Sequence, residues 1–106
     1  MDHIANEAEE IYQRLVRKKS VVGVMVFNES GIRTSMDNAT TAEMANSLVP
    51  LSDLARKTVK DLDPGNELLF FRIRTSKNEM MMGVDEGHLY IVLQDARFIR
   101  TQNLQK

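Results

Sequence analysis

Between Thr40 and Leu62 the apolar residues Met44, Ala45, Leu48, Leu51, Leu54, Ala55, Val59 and Leu62 recur at helical spacing. At about 100° per residue they spread over roughly 180° of a helical wheel, whereas one core-facing stripe needs somewhat more than about 100°. At about 1.5 Å per residue the helix would be about 34 Å long, the width of a small domain. Two arrangements satisfy so wide a face on so long an element: a generous intramolecular core, or a helix that packs partly on a sheet and partly on another chain. The second is favoured, because an apolar surface of that size left in water marks an interaction site. Pro50 lies inside the segment, where its ring clashes with the Asn46 carbonyl and removes one hydrogen bond, so a kink or break is expected there. Thr40-Thr41-Ala42-Glu43 has capping-box spacing at the start. Asp63-Pro64-Gly65-Asn66 closes the helix, with Gly or Asn expected in the left-handed conformation beyond the cap.

On either side the period changes. Ile4, Ala8, Ile11 and Leu15, with Ala5, Tyr12 and Val16 beside them, read as a first helix. Asp2 is its expected N-cap, and Arg14, Arg17, Lys18 and Lys19 sit at its electronegative end. Val21 to Phe27 is a strand buried on both faces, turning through Asn28-Glu29-Ser30-Gly31 into a shorter strand from Ile32 to Met36, which Asp37 and Asn38 interrupt. Leu68 to Arg74 reads as a strand with Leu69, Phe71 and Ile73 on one side and Leu68, Phe70, Arg72 and Arg74 on the other. Glu79–Val84 and His88–Gln94 complete a three-stranded meander. The order α-β-β-α-β-β-β predicts one α+β domain over residues 1–94, with a mainly antiparallel sheet and helices on its faces, then a tail or short helix over 95–106.

Composition narrows the function. The 106 residues hold 14 Lys plus Arg and 15 Asp plus Glu, a net charge of −1. That lacks the basic surplus by which nucleic acid or anionic membrane is bound, so neither is expected as partner. Without cysteine there is no disulfide, thiolate metal site or thiol nucleophile, which suits a reducing compartment, the cytoplasm by default. Met1 to Glu10 carry four carboxylates and no apolar run, unlike a secretory signal. The triplets Asn28-Glu29-Ser30 and Asn38-Ala39-Thr40 are then read as chance matches to a glycosylation acceptor.

Catalytic chemistry lacks its parts. His3 and His88 are the two imidazoles, one near a terminus and one opening a strand, so neither a triad nor a His-rich metal site is in register. Glu9 with Glu10, and Asp61 with Asp63, fit solvated helix positions rather than general acid–base pairs. The five glycines are too scattered for a phosphate-binding loop. No catalytic, metal or cofactor residue is expected. Met80-Met81-Met82 reads as core filling or, less simply, as an adaptable binding surface. Arg72, Arg74 and Lys77 form a basic cluster read as a solvated rim, with an acidic partner segment as the alternative.

Several segments follow one another in a telling order: Val22-Gly23-Val24 to Asn28-Glu29-Ser30-Gly31-Ile32, then Met36-Asp37-Asn38 with Thr40-Thr41. Asp61-Leu62-Asp63-Pro64 with Asn66-Glu67-Leu68 comes next, and Phe71-Arg72-Ile73-Arg74 with Lys77-Asn78-Glu79 completes the run. From about Ile11 to Gln94 the chain resembles the roadblock/LC7 family of dynein light chains. The resemblance implies a homodimer, or a pair with a paralogous light chain, in which the long second helices pack together and the third strands pair to join two five-stranded sheets. It implies a non-catalytic adaptor, associated with dynein and microtubules in the cytoplasm, that binds the dynein intermediate chain of a cytoplasmic or axonemal motor. The alternative role is a dimeric scaffold regulating a small GTPase. By position, Met44, Leu48, Leu51, Ala55, Val59, Leu68 and Phe70 are the expected dimer-interface residues. A shortened Gly31–Met36 segment, Pro50 and the long tail mark a divergent member.

Overall fold

Helix α1 (Asn6–Val16) forms because Ala8 and Tyr12, one turn apart, bury against a sheet while Glu7, Glu10 and Arg14 stay in water. The computed structural model describes residues 6–97. The expected cap Asp2, the first apolar positions Ile4 and Ala5, His3 and the tail from Phe98 onward lie outside the described residues.

The strands are β1 (Val21–Asn28), β2 (Gly31–Thr34), β3 (Phe70–Arg74), β4 (Asn78–Asp85) and β5 (His88–Asp95), with the long helix α2 (Asn38–Leu62) between β2 and β3. All neighbours pair antiparallel in the order β2-β1-β5-β4-β3. This matches the α-β-β-α-β-β-β order and five-stranded sheet expected from sequence. Strand alternation divides the core into two layers. On one face Val24 and Val26 pack with Ala8 and Tyr12 of α1, flanked by Leu15, Val21 and Tyr90. On the other Met25, Met82, Ile91 and Leu93 pack with Leu48 of α2, flanked by Met44, Met80, Phe71 and Ile73. Strand β1, paired along both of its edges, is thus buried on both faces. Gly23 in β1 is needed for close approach, since a Cβ there would meet the Met36 sulfur at 2.6 Å and Leu93 at 3.1 Å.

Four local details differ from expectation. The cap of α2 is Asp37, not Thr40: its Oδ1 accepts the Thr40 N–H at 2.7 Å, and the helix starts at Asn38. Thr41 is instead buried, its hydroxyl sharing a 2.8 Å hydrogen bond with Thr34 that ties the end of β2 to α2. Secondly, α2 runs without a break through Pro50. Pro50 lies about 200° around the wheel from buried Leu48, and both it and Asn46 are exposed, so the carbonyl that loses its partner meets water. Thirdly, the helix ends without a left-handed residue, since among the described residues Glu86 and Gly87 are the positive-φ positions. Extended Asp63 closes it, accepting the Gly65 N–H through its side chain and the Asn66 N–H through its carbonyl. Finally, β3 begins at Phe70, so Leu68 and Leu69 precede the ladder.

Candidate interaction surface

A five-stranded open sheet has two edges, and this chain treats them differently. Edge β2 is four residues long and closed off by Thr34–Thr41 and by Arg33, which reaches across to Glu9 of α1. Edge β3 pairs with β4 on one side and, among the described residues, with no strand on the other. Its outward backbone groups are a template for another strand.

Among the described residues the large exposed apolar side chains gather mostly on β3, its approach, and the helix that feeds it. Leu69 and Phe70 are 66% and 56% exposed, and Leu54 and Leu62 of α2 are 60% and 83% exposed, with Leu51 beside them. On the wheel, Thr41, Leu48 and Ser52 define the buried stripe of α2. Leu51 and Leu54 fall on one flank of that stripe, while Asp53, Arg56, Lys57 and Lys60 fall on the other. The charged flank borders a groove of about 480 Å³ whose opposite side is Leu68, Leu69, Val84 and the Asp85–Gly87 turn. Lys57 pairs with Asp61 at 2.8 Å and Arg56 with Asp53 at 3.9 Å. The groove is lined by carboxylates and cations, with no imidazole, hydroxyl or thiol side chain among its residues.

The expected interface residues divide into two groups. Leu48 is 6% exposed and Met44 packs against the same cluster, so both serve this chain's own core. Leu51 and Phe70 are exposed, and Ala55, Val59 and Leu68 are half-buried. Leu54, Leu62 and Leu69 were not among the expected residues and are the most exposed of all. The first two already lay on the wide apolar face of the sequence pattern. Leu69 shares a side with Phe71 and Ile73 in the sequence pattern, yet it precedes the ladder and is exposed while those two are half-buried.

The remaining polar groups have structural partners. Buried Glu79 lies 3.4 Å from Arg74 and 3.9 Å from Arg72, so two members of the Arg72–Arg74–Lys77 cluster are neutralised. Asn28 donates its amide to Nε2 of His88 at 3.3 Å, while the His88 Nδ1–H donates to the Glu86 carbonyl at 3.1 Å. Hydrogen bonds from the Thr40 backbone and hydroxyl lower the Asp37 carboxyl pKa, and the Arg97 side chain does the same for Asp95. Burial, then the charges of Asp85, Glu7 and Glu86, push the Tyr90 phenol up. Among the described residues no three His, Cys, Asp or Glu side chains converge to hold a metal, and no helix is long and apolar enough to cross a membrane.

The family model of the Roadblock/LC7 domain matches residues 7–95, nearly all of the described chain. A crystal structure of the Roadblock/LC7 domain from Streptomyces avermitilis is similar to it, with a TM-score of 0.67 over 79% of this chain and 73% of that one. The two sequences are 14% identical, so that likeness speaks for the fold. With two helices on opposite faces of a β2-β1-β5-β4-β3 sheet and a matching sequence, the chain belongs to the Roadblock/LC7 domain family.

Proposed function

We propose that this protein is a homodimeric, non-catalytic dynein light chain that binds the dynein intermediate chain in the motor's cargo-binding tail, in the cytoplasm on microtubules. Roadblock/LC7 domains are generally dimeric, non-catalytic adaptors, and the family includes dynein light chains and regulators of small GTPases. The observation that carries the dimer is the unpaired edge of β3 with exposed Phe70 on it, fed by a helix whose flank exposes Leu51, Leu54 and Leu62. Antiparallel pairing of two β3 edges would satisfy the free backbone groups and bring two copies of α2 together. A paralogous light chain with the same edge would fit equally.

Light scattering across a dilution series, alone and with the roadblock-binding segment of an intermediate chain, tests both halves of the proposal. Twice the 12.1 kDa chain mass, about 24 kDa, is expected, with uptake of the segment. A monomer that ignores the segment overturns the proposal. A dimer that captures nucleotide-loaded small GTPases instead transfers the function to the regulatory branch.

A further inference from the structure

The chain connections at the two ends of the sheet differ in charge. At one end Glu29 occupies the β1–β2 turn, Asp85 and Glu86 occupy the β4–β5 turn, and Glu7 lines one small cavity with that turn and Tyr90. The other end is built from the connection between α1 and β1, the β3–β4 turn and the end of β5. There Asp95 donates its N–H to the Ser20 carbonyl at 2.9 Å, and Ala96 donates to the Lys77 carbonyl at 3.2 Å. The register agrees, with Val21 opposite Gln94 and Asn78 opposite Asp95. Two basic segments far apart in sequence, Arg17-Lys18-Lys19 and Lys77, therefore flank the same strand end. At about 4.8 Å per strand, Ser20 and Lys77 stand about 10 Å apart, within reach of one short ligand through long lysine side chains.

Among the described residues half of the cations have a carboxylate partner and, besides Arg14 and Lys60, those without one gather at this pole. Arg72 and Arg74 are balanced by Glu79, Arg33 by Glu9 and Lys57 by Asp61. Among the described residues Arg17, Lys18, Lys19 and Lys77 have no carboxylate within ion-pair distance, and Asp95 beside them is engaged by Arg97 at 2.6 Å. Like charges gathered without counter-charge repel one another, so the pole is stabilised by an incoming anion.

We propose that this basic pole docks an acidic segment of a partner protein. Three features select a peptide over a larger polyanion. The pole is only about 10 Å across between the flanking chains. The whole chain is at −1, which opposes nucleic acid or an anionic bilayer extending past the pole. None of the four residues is aromatic, which leaves the Arg17 guanidinium as the one planar surface among them on which a base could stack. An extended peptide with alternate acidic residues presents carboxylates about 7 Å apart on one side, a spacing that lets successive carboxylates meet the two lysine segments. Arg17, Lys18 and Lys19 lie on the connection between α1 and β1, and Lys77 lies in the turn that follows β3.

The test is fluorescence anisotropy of the intact protein with a labelled peptide of alternating Glu and Ser, against a Gln–Ser control of equal length, at about 50 mM and about 200 mM salt. Binding of the Glu peptide alone is expected, weakened by the higher salt. The double reversal K19E/K77E should weaken it by about tenfold or more, whereas K57E/K60E, an equal charge change on α2, should leave it unchanged. All four lysines are exposed, and a circular dichroism melt of each variant confirms folding. Equal binding of the two peptides, or equal losses in the two double variants, overturns the proposal. So does tighter, K19E/K77E-sensitive binding of an RNA oligomer or of phosphatidylserine vesicles, which would give the pole a different ligand.

Discussion

Arg33 of β2 donates from Nε to Glu9 of α1 at 3.0 Å and from Nη2 to the same carboxylate at 3.3 Å, while its guanidinium lies 4.2 Å above the Tyr12 ring. One side chain thus fastens an edge strand to the helix behind it. Arg33→Ala removes a two-point ion pair and a cation–π contact, with an expected cost of about 1–2 kcal/mol in urea denaturation. Hydrogen bonds from Arg33 first, then Gln13, hold the Glu9 carboxyl below its ordinary value of 4.5. A lowered carboxyl pKa contributes stability fully above the ordinary value and loses it as pH falls through the lowered one. The gap between wild type and Arg33→Ala should therefore narrow on acidification below about pH 4.5. A gap that stays constant would show that the ring stacking, not the ion pair, carries the effect.

Leu48 and Leu54 sit six residues apart on α2, one buried in the core and one 60% exposed. Leu48→Ala should cost about 2–5 kcal/mol through the cavity it leaves. Leu54→Glu should leave the fold intact, yet lower the mass seen by light scattering if α2 meets a second copy. Loss of folding in Leu54→Glu would mean that this flank belongs to the chain's own core.

Ser52 lies 1% exposed on the sheet-facing stripe of α2, and its hydroxyl has no hydrogen-bond partner. Removing an unsatisfied buried hydroxyl costs nothing in contacts, so Ser52→Ala should be neutral or stabilise by about 1 kcal/mol. The comparison is Thr41→Val, which breaks the bond to Thr34 and should destabilise by about 1 kcal/mol. Chemical denaturation of both variants decides whether the two buried hydroxyls differ in sign.

Glu86 holds φ at 49° and Gly87 at 80° in the two-residue turn between β4 and β5. Successive positive φ values suit Asn-Gly, and a left-handed glutamate is strained. Glu86→Asn should raise stability by about 0.5–1 kcal/mol, and Gly87→Ala should lower it by a similar amount or more. Thermal melts of the two variants moving in the same direction would contradict this account of the turn.

Element order was legible in the chain alone, because helical and strand periods are local properties of which side chains must leave water. The helical pattern also exposed the excess of apolar surface between Thr40 and Leu62. Local pattern was a poorer guide where two neighbours compete for one role. Thr40 has the spacing of a cap, but Asp37 reaches the free N–H first, and Thr41 is drawn off by Thr34 across the end of β2. Pro50 looks like a helix breaker until its place on the solvent side is known. Periodicity shows that Leu48 and Leu54 are both apolar, not which of them the sheet covers, since that depends on how α2 is rotated against Met25 and Ile91. Charge follows the same rule. Arg72, Arg74 and Lys77 read as one cluster in the chain, but strand register gives the two arginines to Glu79 and sets Lys77 beside the Lys18–Lys19 connection. Which groups share a surface is a property of strand pairing and helix packing, and a local pattern does not carry that information.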